Sequence, residues 1–273
     1  DPEIRWRMMQ FFIGAPETII DRWFESAKVK AMVAAHIMPA NYAPLTQPGA
    51  SLAMLHHAVG EIAGRAGGWG LVKGGMGAIT QAMAQSAIAS GVDIRTNARV
   101  EKIDVTEGRV TGVTLKDGER IKTKIVATNT DPKLTFLGLV GRDKLPSGFV
   151  RDISAFRQES ASLRMNLALS SLPSFSAFSG DDKIQAHHCA SITMIESPEH
   201  LNQAFHSARS GEPADPPIIE AIIPSTMDPD LTEESGHHVM SLLCKYMPYK
   251  LNKERSWDVE KSNVVDRILN YVE

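Results

Sequence analysis

Surplus charge of one sign, cysteine and uninterrupted apolar sequence are all scarce in this chain. Its 29 Lys and Arg against 32 Asp and Glu leave a net charge of -3, which offers a nucleic-acid backbone no basic surface and excludes nucleic acid as a partner. The two cysteines, Cys189 and Cys244, form no CxxC and cannot build a disulfide framework, so a reducing compartment is expected. The longest charge-free stretch, Ala31 to Gly60, is broken by Pro39, Pro44 and Pro48 and by Asn41 and Gln47, so it is no membrane span. It reads instead as protein interior or as the wall of an apolar cavity.

Motifs that would name a chemistry outright are also missing: no G-x-S-x-G, H-E-x-x-H, Walker loop or kinase set occurs. Six of the nine histidines form three adjacent pairs, His56-His57, His187-His188 and His237-His238. Neighbours on a strand point to opposite faces and on a helix diverge by roughly 100°, so these pairs chelate poorly and no metal site is expected. Cys189 beside His188 has the composition of a nucleophile and base, but a buried thiol is the simpler reading.

What is present is a patterned globular chain of 273 residues, 43% of them hydrophobic, enough for one large domain or two modest ones. The first third is expected to be helical. Ile4, Met8, Phe11 and Phe12 keep helical spacing up to Gly14; Pro16 starts a second helix with Ile19, Ile20, Trp23 and Phe24 on one side. Ser26 can cap a third, with Val29, Met32, Val33, His36 and Ile37 in an apolar stripe, and a fourth is expected from Ser51 with Leu52, Leu55, His56, Val59 and Ile62 aligned. Helical spacing from the fourth residue and an apolar stripe, Val264 to Val272, reaching the other end lead us to expect part of a longer protein.

From Lys73 the pattern changes. Gly74-Gly75-Met76-Gly77 leads into a helix ended by Gly91, and Val92-Asp93-Ile94 is expected to begin a strand. Turns at Glu107-Gly108 and Asp117-Gly118 join three short strands, the last with Ile121, Thr123, Ile125 and Ala127 alternating, into a β-meander. Helix starts are expected at Pro132 and Pro146. Strands are expected at Leu163 to Leu169, Ile218 to Ile223 and Met240 to Tyr246, in a mostly antiparallel sheet with helices around Glu199 to Arg209 and from Trp257 covering one face. The fold class expected is α+β. The glycine run does not match GxGxxG, because Thr80 stands in the third glycine's place; it reads either as a phosphate-approaching turn or as a tight turn needing positive φ.

Taken in order, Trp69-Gly70-Leu71-Val72-Lys73-Gly74-Gly75-Met76-Gly77-Ala78-Ile79, Gly91-Val92-Asp93-Ile94, Val100-Glu101-Lys102-Ile103, Gly112-Val113 with Asp117-Gly118, and Ala127-Thr128-Asn129-Thr130-Asp131-Pro132 form a series. It resembles the phytoene-dehydrogenase-related FAD-dependent oxidoreductases, carotenoid desaturases and isomerases among them. The resemblance extends through Asn166-Leu167-Ala168-Leu169, Ile223-Pro224-Ser225 and Tyr246-Met247-Pro248-Tyr249, nearly the whole chain.

The resemblance implies part of a two-dinucleotide-binding-domain FAD fold, with residues 60–131 as a partial FAD-binding domain and residues 1–59 and 132–273 as a discontinuous substrate-binding domain. It implies FAD contacts at Val100, through backbone at a strand edge, at Gly74 and Gly75, and at Ala127 and Thr128, which would end a strand near the cofactor. The family's N-terminal GxGxxG strand-turn-helix, with its ribose-binding acidic residue, and its C-terminal flavin-contacting segment are not in this sequence, so the chain alone is expected to bind FAD weakly or not at all and to be inactive by itself. The expected activity of the parent is removal of a hydride from an apolar, polyene-like or other lipophilic substrate, or isomerisation of it. A lipophilic-ligand or protein-binding module of the same fold is the alternative. The substrate wall is sought in the charge-free stretch, at His56, Tyr42 and Met54, with a hydrogen-bonded core histidine as the other reading of His56. A cytoplasmic location or peripheral contact with a membrane fits this picture.

Overall fold

The computed structural model describes residues 1–37, 42–55, 59–68, 70–158, 162–178, 183–233, 236–252 and 255–273. Two compact units emerge, one of Asp1–Thr80 with Glu159–Glu273 and one of Gln81–Gln158. The class is α+β, as the patterning predicts.

The first unit opens with α1 (Pro2–Ile13), α2 (Pro16–Trp23) and α3 (Ala27–Ile37). Asp1 caps α1 by accepting from the Glu3 amide at 2.7 Å, and the prolines at the starts of α1 and α2 occupy positions whose missing N–H costs nothing. Ile19 and Ile20 of α2 are buried as expected, but Trp23 on the same stripe is 65% exposed, because the helix ends there and Phe24 is already extended. The segment from Ser51, expected to be helical, opens as a 3₁₀ turn, Ala50–Ala53, and is α-helical at Met54 and Leu55, where the described stretch ends. Its last expected member, Ile62, belongs instead to a hairpin of β1 (Glu61–Ile62) and β2 (Arg65–Ala66), because Ala63 and Gly64 take φ of 51° and 77° and reverse the chain.

The main sheet of this unit has the order β6-β9-β8-β7, all antiparallel, from β6 (Ser162–Leu169), β7 (Ile192–Met194), β8 (Ile218–Ile222) and β9 (His238–Lys245). Here α6 (Pro198–Arg209) and α7 (Trp257–Val272) do not share a face. Val264 and Ile268 of α7 pack with Ile219, Ala221, Met240, Leu242 and Cys244. Leu201, Ala204 and Phe205 of α6 join Ala34, Leu45, Ile218 and Tyr246 in a separate core. Alternation explains the split: Ile218 and Ile219 are neighbours and point to opposite sides of the sheet.

In the second unit α4 (Gly77–Ala89) ends in a Schellman motif, with Val92 N–H donating to Ala87 O at 3.0 Å and Gly91, at φ 84°, to Ile88 O at 2.9 Å. The meander follows as β3 (Val100–Thr106), β4 (Arg109–Leu115) and β5 (Arg120–Lys122), in the order β3-β4-β5. Glu107 and Gly108, both at positive φ, form the two-residue turn that matches strand twist. Two expectations fail here. Residues 92–94 are irregular, and β5 ends at Lys122, because the Thr123 hydroxyl turns back to bond the Ile125 carbonyl at 2.9 Å and takes the chain away from the ladder. Asp104 ties the strands together by accepting from Thr114 at 2.9 Å and from Arg120 at 3.1 Å; the Thr114 hydrogen bond is the chief cause of its lowered pKa. Beyond the meander, the segment expected to start at Pro132 is a π-helix, Lys133–Gly141, and α5 (Ser147–Ala155) follows.

A Cβ at Gly112 would sit 2.5 Å from the Ile121 carbonyl oxygen, across the β4–β5 ladder, whereas at Gly108 only the backbone angle opposes a side chain. Gly108→Ala should therefore cost about 1 kcal/mol and Gly112→Ala about 2–3 kcal/mol. Urea unfolding of the two variants measures the order, and equal costs would refute the steric account.

Candidate functional site

The glycine turn lies within the first unit. Gly74 and Gly75 both adopt φ of 78°, where only glycine is free of strain, and the Gly75 N–H returns to Val72 O at 2.9 Å. The Gly74 N–H donates to the Asp228 carboxylate at 2.6 Å, and Lys73 pairs with Asp230 at 3.3 Å. A Cβ on Gly75 would meet Leu231 at 3.4 Å. The leading amide of the turn is thus held by a carboxylate of the same chain, and a phosphate there would face both Asp228 and Asp230. The residues present do not by themselves make a phosphate cradle.

In the second unit Val100 is half-buried at the start of β3, an edge strand, with a register shift between Val100 and Lys102. Ala127 and Thr128 are exposed in irregular chain rather than at a strand end. Thr128, Thr130 and Thr135 form a hydroxyl chain, with separations of 2.8 and 2.6 Å, that joins this loop to the π-helix.

Of the residues sought as a substrate wall, His56 lies outside the described residues. Tyr42 and Met54 pack against the core that contains Ala34, Ala43, Leu45 and Ala50, so much of the charge-free stretch is interior. Tyr42 sits 5.2 Å from Phe205 and 6.4 Å from Tyr246, ring to ring, and Tyr246 donates to the Ala43 carbonyl at 2.9 Å. Burial raises the Tyr246 pKa, keeping the phenol protonated as that hydrogen bond requires. A hollow of about 240 Å³ between α2, α3 and α6 is lined by Glu17, Asp21, Glu25, Glu199 and Lys30. It is too acidic to receive an apolar chain.

The second face of the four-stranded sheet was not singled out by sequence. Strand register sets its rows: Ser162, Lys245 and Ile218; then Arg164, Leu243, Glu220 and Thr193; then Asn166, Ser241 and Ile222; then Ala168 and Val239. Lys245 is 2% exposed, donates to the Ala35 carbonyl of α3, and pairs with Glu220 at 3.1 Å. Ser191 donates to Glu220 at 3.1 Å. Burial would push the Glu220 carboxyl up, but the Lys245 ammonium and these hydrogen bonds together hold it below its ordinary value. Burial lowers the Lys245 pKa, opposed by Glu220. Toward the β6 edge, Arg164 is exposed and its guanidinium donates to Ser241 at 2.9 Å. The signal was legible in principle: Arg164 and Asn166 alternate with Leu163, Met165 and Leu167, and Glu220 interrupts an apolar run. Among the described residues no group of His, Cys, Asp and Glu could hold a metal, and no helix is long and apolar enough to cross a membrane.

Comparison with known proteins places this geometry. Residues 21–132 match the family of flavin containing amine oxidoreductases. The chain is 40% identical over 261 residues to the rat pyridine nucleotide-disulfide oxidoreductase domain-containing protein 2, covering 93% of this chain and 45% of the relative, so it spans about half that protein's length. It is 26% identical over 214 residues to a lycopene-forming phytoene desaturase of a Paracoccus species, covering 77% of this chain and 39% of that one. A 4,4'-diapolycopene oxygenase of a Methylomonas species is 29% identical over 160 residues, covering 58% and 29%. Among solved structures, an oxidoreductase from Methanosarcina mazei superposes with a TM-score of 0.59 at 16% identity, covering 94% of this chain and 51% of that one, which shows a shared fold.

The Lys245–Glu220 pair yields two expected outcomes. Lys245→Met should cost about 3–5 kcal/mol, because it strands Glu220 beneath α3, and adding Glu220→Leu should restore part of that. Because the folded Glu220 pKa is below its ordinary 4.5, the pair's contribution is complete above that pH and is lost as pH falls through the folded value. Glu220→Gln should flatten this limb in unfolding measured against pH, and an unchanged limb would refute the assignment.

Proposed function

We propose that the protein is an FAD-dependent oxidoreductase acting on an apolar, polyene-like or other lipophilic substrate, a reading supported by the match of residues 21–132 to the flavin containing amine oxidoreductases. Residues 60–131 then lie on the cofactor side, and residues 1–59 and 132–273 on the substrate side. The observation that carries the substrate class is the run of relatives named as phytoene desaturase and 4,4'-diapolycopene oxygenase, aligned over most or much of this chain. Flavin, when bound, supplies the two-electron acceptor. What this chain supplies is scaffold: a sheet buried on one side by α7 and a packed apolar core around Tyr42 and Met54.

The test is anaerobic mixing of the flavin-loaded, full-length protein with an apolar polyene. Bleaching of the flavin absorption band is expected; binding of the polyene with no change in the flavin would favour a non-catalytic ligand-binding module. The 273-residue chain expressed alone is expected to purify without that band.

Peripheral contact with a lipid surface is a second reading, favoured by α1. Trp6, Met8, Met9, Phe12 and Ile13 are all exposed there, beside Arg5 and Arg7, the composition of a helix that lies in a membrane interface. The protein should float with anionic vesicles, and a Trp6→Asp/Phe12→Asp variant should remain in the soluble fraction.

A further inference from the structure

The open face of the four-stranded sheet divides by polarity. At one end Ala168, Val239 and Ile222 present apolar surface; beside them stand Arg164, Ser241, Glu220 and Lys245. All four β6 residues on this face are exposed, so nothing described covers the edge where Arg164 stands.

The charges here do not cancel. Lys245 and Glu220 neutralise one another and are further held by the Ala35 carbonyl and the Ser191 hydroxyl. Arg164 is left over: among the described residues its guanidinium hydrogen-bonds Ser241 Oγ, and no carboxylate stands within ion-pair distance. A single surplus positive charge, on a planar fork of N–H donors next to an apolar strip, is complementary to one carboxylate on an apolar tail. A wholly hydrocarbon ligand would leave the guanidinium facing it without gain and would pay to desolvate it. Ser241 also accepts from Arg164, which fixes the fork against β9 and lowers the cost of ordering it.

The geometry points to an amphipathic organic anion as the ligand of this face, its carboxylate on Arg164 and its apolar body along Ile222, Val239 and Ala168. This rests on the lipophilic-substrate reading above and deepens it by giving the substrate, or its product, a charged end. Arg164 is a binding residue and takes no part in bond making.

Retinoate and retinol share one polyene and differ at the end group, so they test the assignment directly. Their affinities for the full-length flavin-loaded protein can be read from quenching of tryptophan fluorescence. Retinoate is expected to bind about tenfold or more tightly than retinol. Arg164→Met should remove that advantage by lowering retinoate affinity to that of retinol, and Arg164→Lys should keep part of it. Arg164 is exposed and its side chain makes one hydrogen bond, to Ser241, so both variants should unfold with the parent's urea midpoint; the Lys variant still decides the matter if the Met variant does not. Equal affinity for the two ligands, or a retinoate advantage that survives Arg164→Met, overturns the carboxylate assignment and leaves the lipophilic reading standing. Failure of both ligands to bind overturns both.

Discussion

The contact on which the first unit depends is the ammonium of Lys245 beneath α3. It reaches the Ala35 carbonyl and the Glu220 carboxylate at once, and so joins a helix from the first forty residues to strands from the last sixty. Burying two charges is costly, and attraction in a poorly polarisable interior repays the cost only where hydrogen bonds complete the arrangement. Ser191 and the α3 carbonyl complete it. An apolar pair could hold α3 as firmly, but it would not fix which turn of the helix meets which row of the sheet; a single carbonyl acceptor does.

That contact also settles how the sheet is used. One face, with Met240, Leu242 and Cys244, is sealed by α7, and its thiol is raised to about 12 by burial, which makes Cys244 a packing residue and not a nucleophile. The other face is closed only at its Lys245 end. One face is sealed and the other partly open and mixed, so the sealed face supplies rigidity and the open one leaves side chains free for contacts.

Sequence made most of this architecture readable wherever a period was long enough. Leu163 to Leu169 and Met240 to Cys244 alternate over full strands, and Pro198 and Trp257 open helices where expected, so β6, β9, α6 and α7 could all be anticipated. Short signals failed. Val92-Asp93-Ile94 after Gly91 alternates like a strand, but among the described residues no partner strand receives it. Ile62 keeps helical spacing with Leu55, yet Gly60, Gly64, Gly67 and Gly68 around it favour a hairpin, and local backbone freedom outweighs a stripe of five residues. Which face each helix covers was not readable, because it depends on the odd or even register of Ile218 against Ile219, and both are equally apolar.

The same limit explains the site. The glycine turn drew attention because glycine marks itself, but its partner, Asp228, stands 154 residues away, and only folding shows that the amide is already taken. Arg164 was hidden for the opposite reason. An arginine that alternates with leucines reads as the solvent side of a strand, and nothing local distinguishes a solvated guanidinium from one that shares a face with a buried ion pair. The distinction comes from a strand about 80 residues later in the chain, which puts Ser241 and Lys245 on the same side. Residues that build a fold announce themselves by repetition along the chain; residues that recognise a ligand do so by juxtaposition across it, which is why the sheet's second face carries chemistry that periodicity alone assigns to solvent.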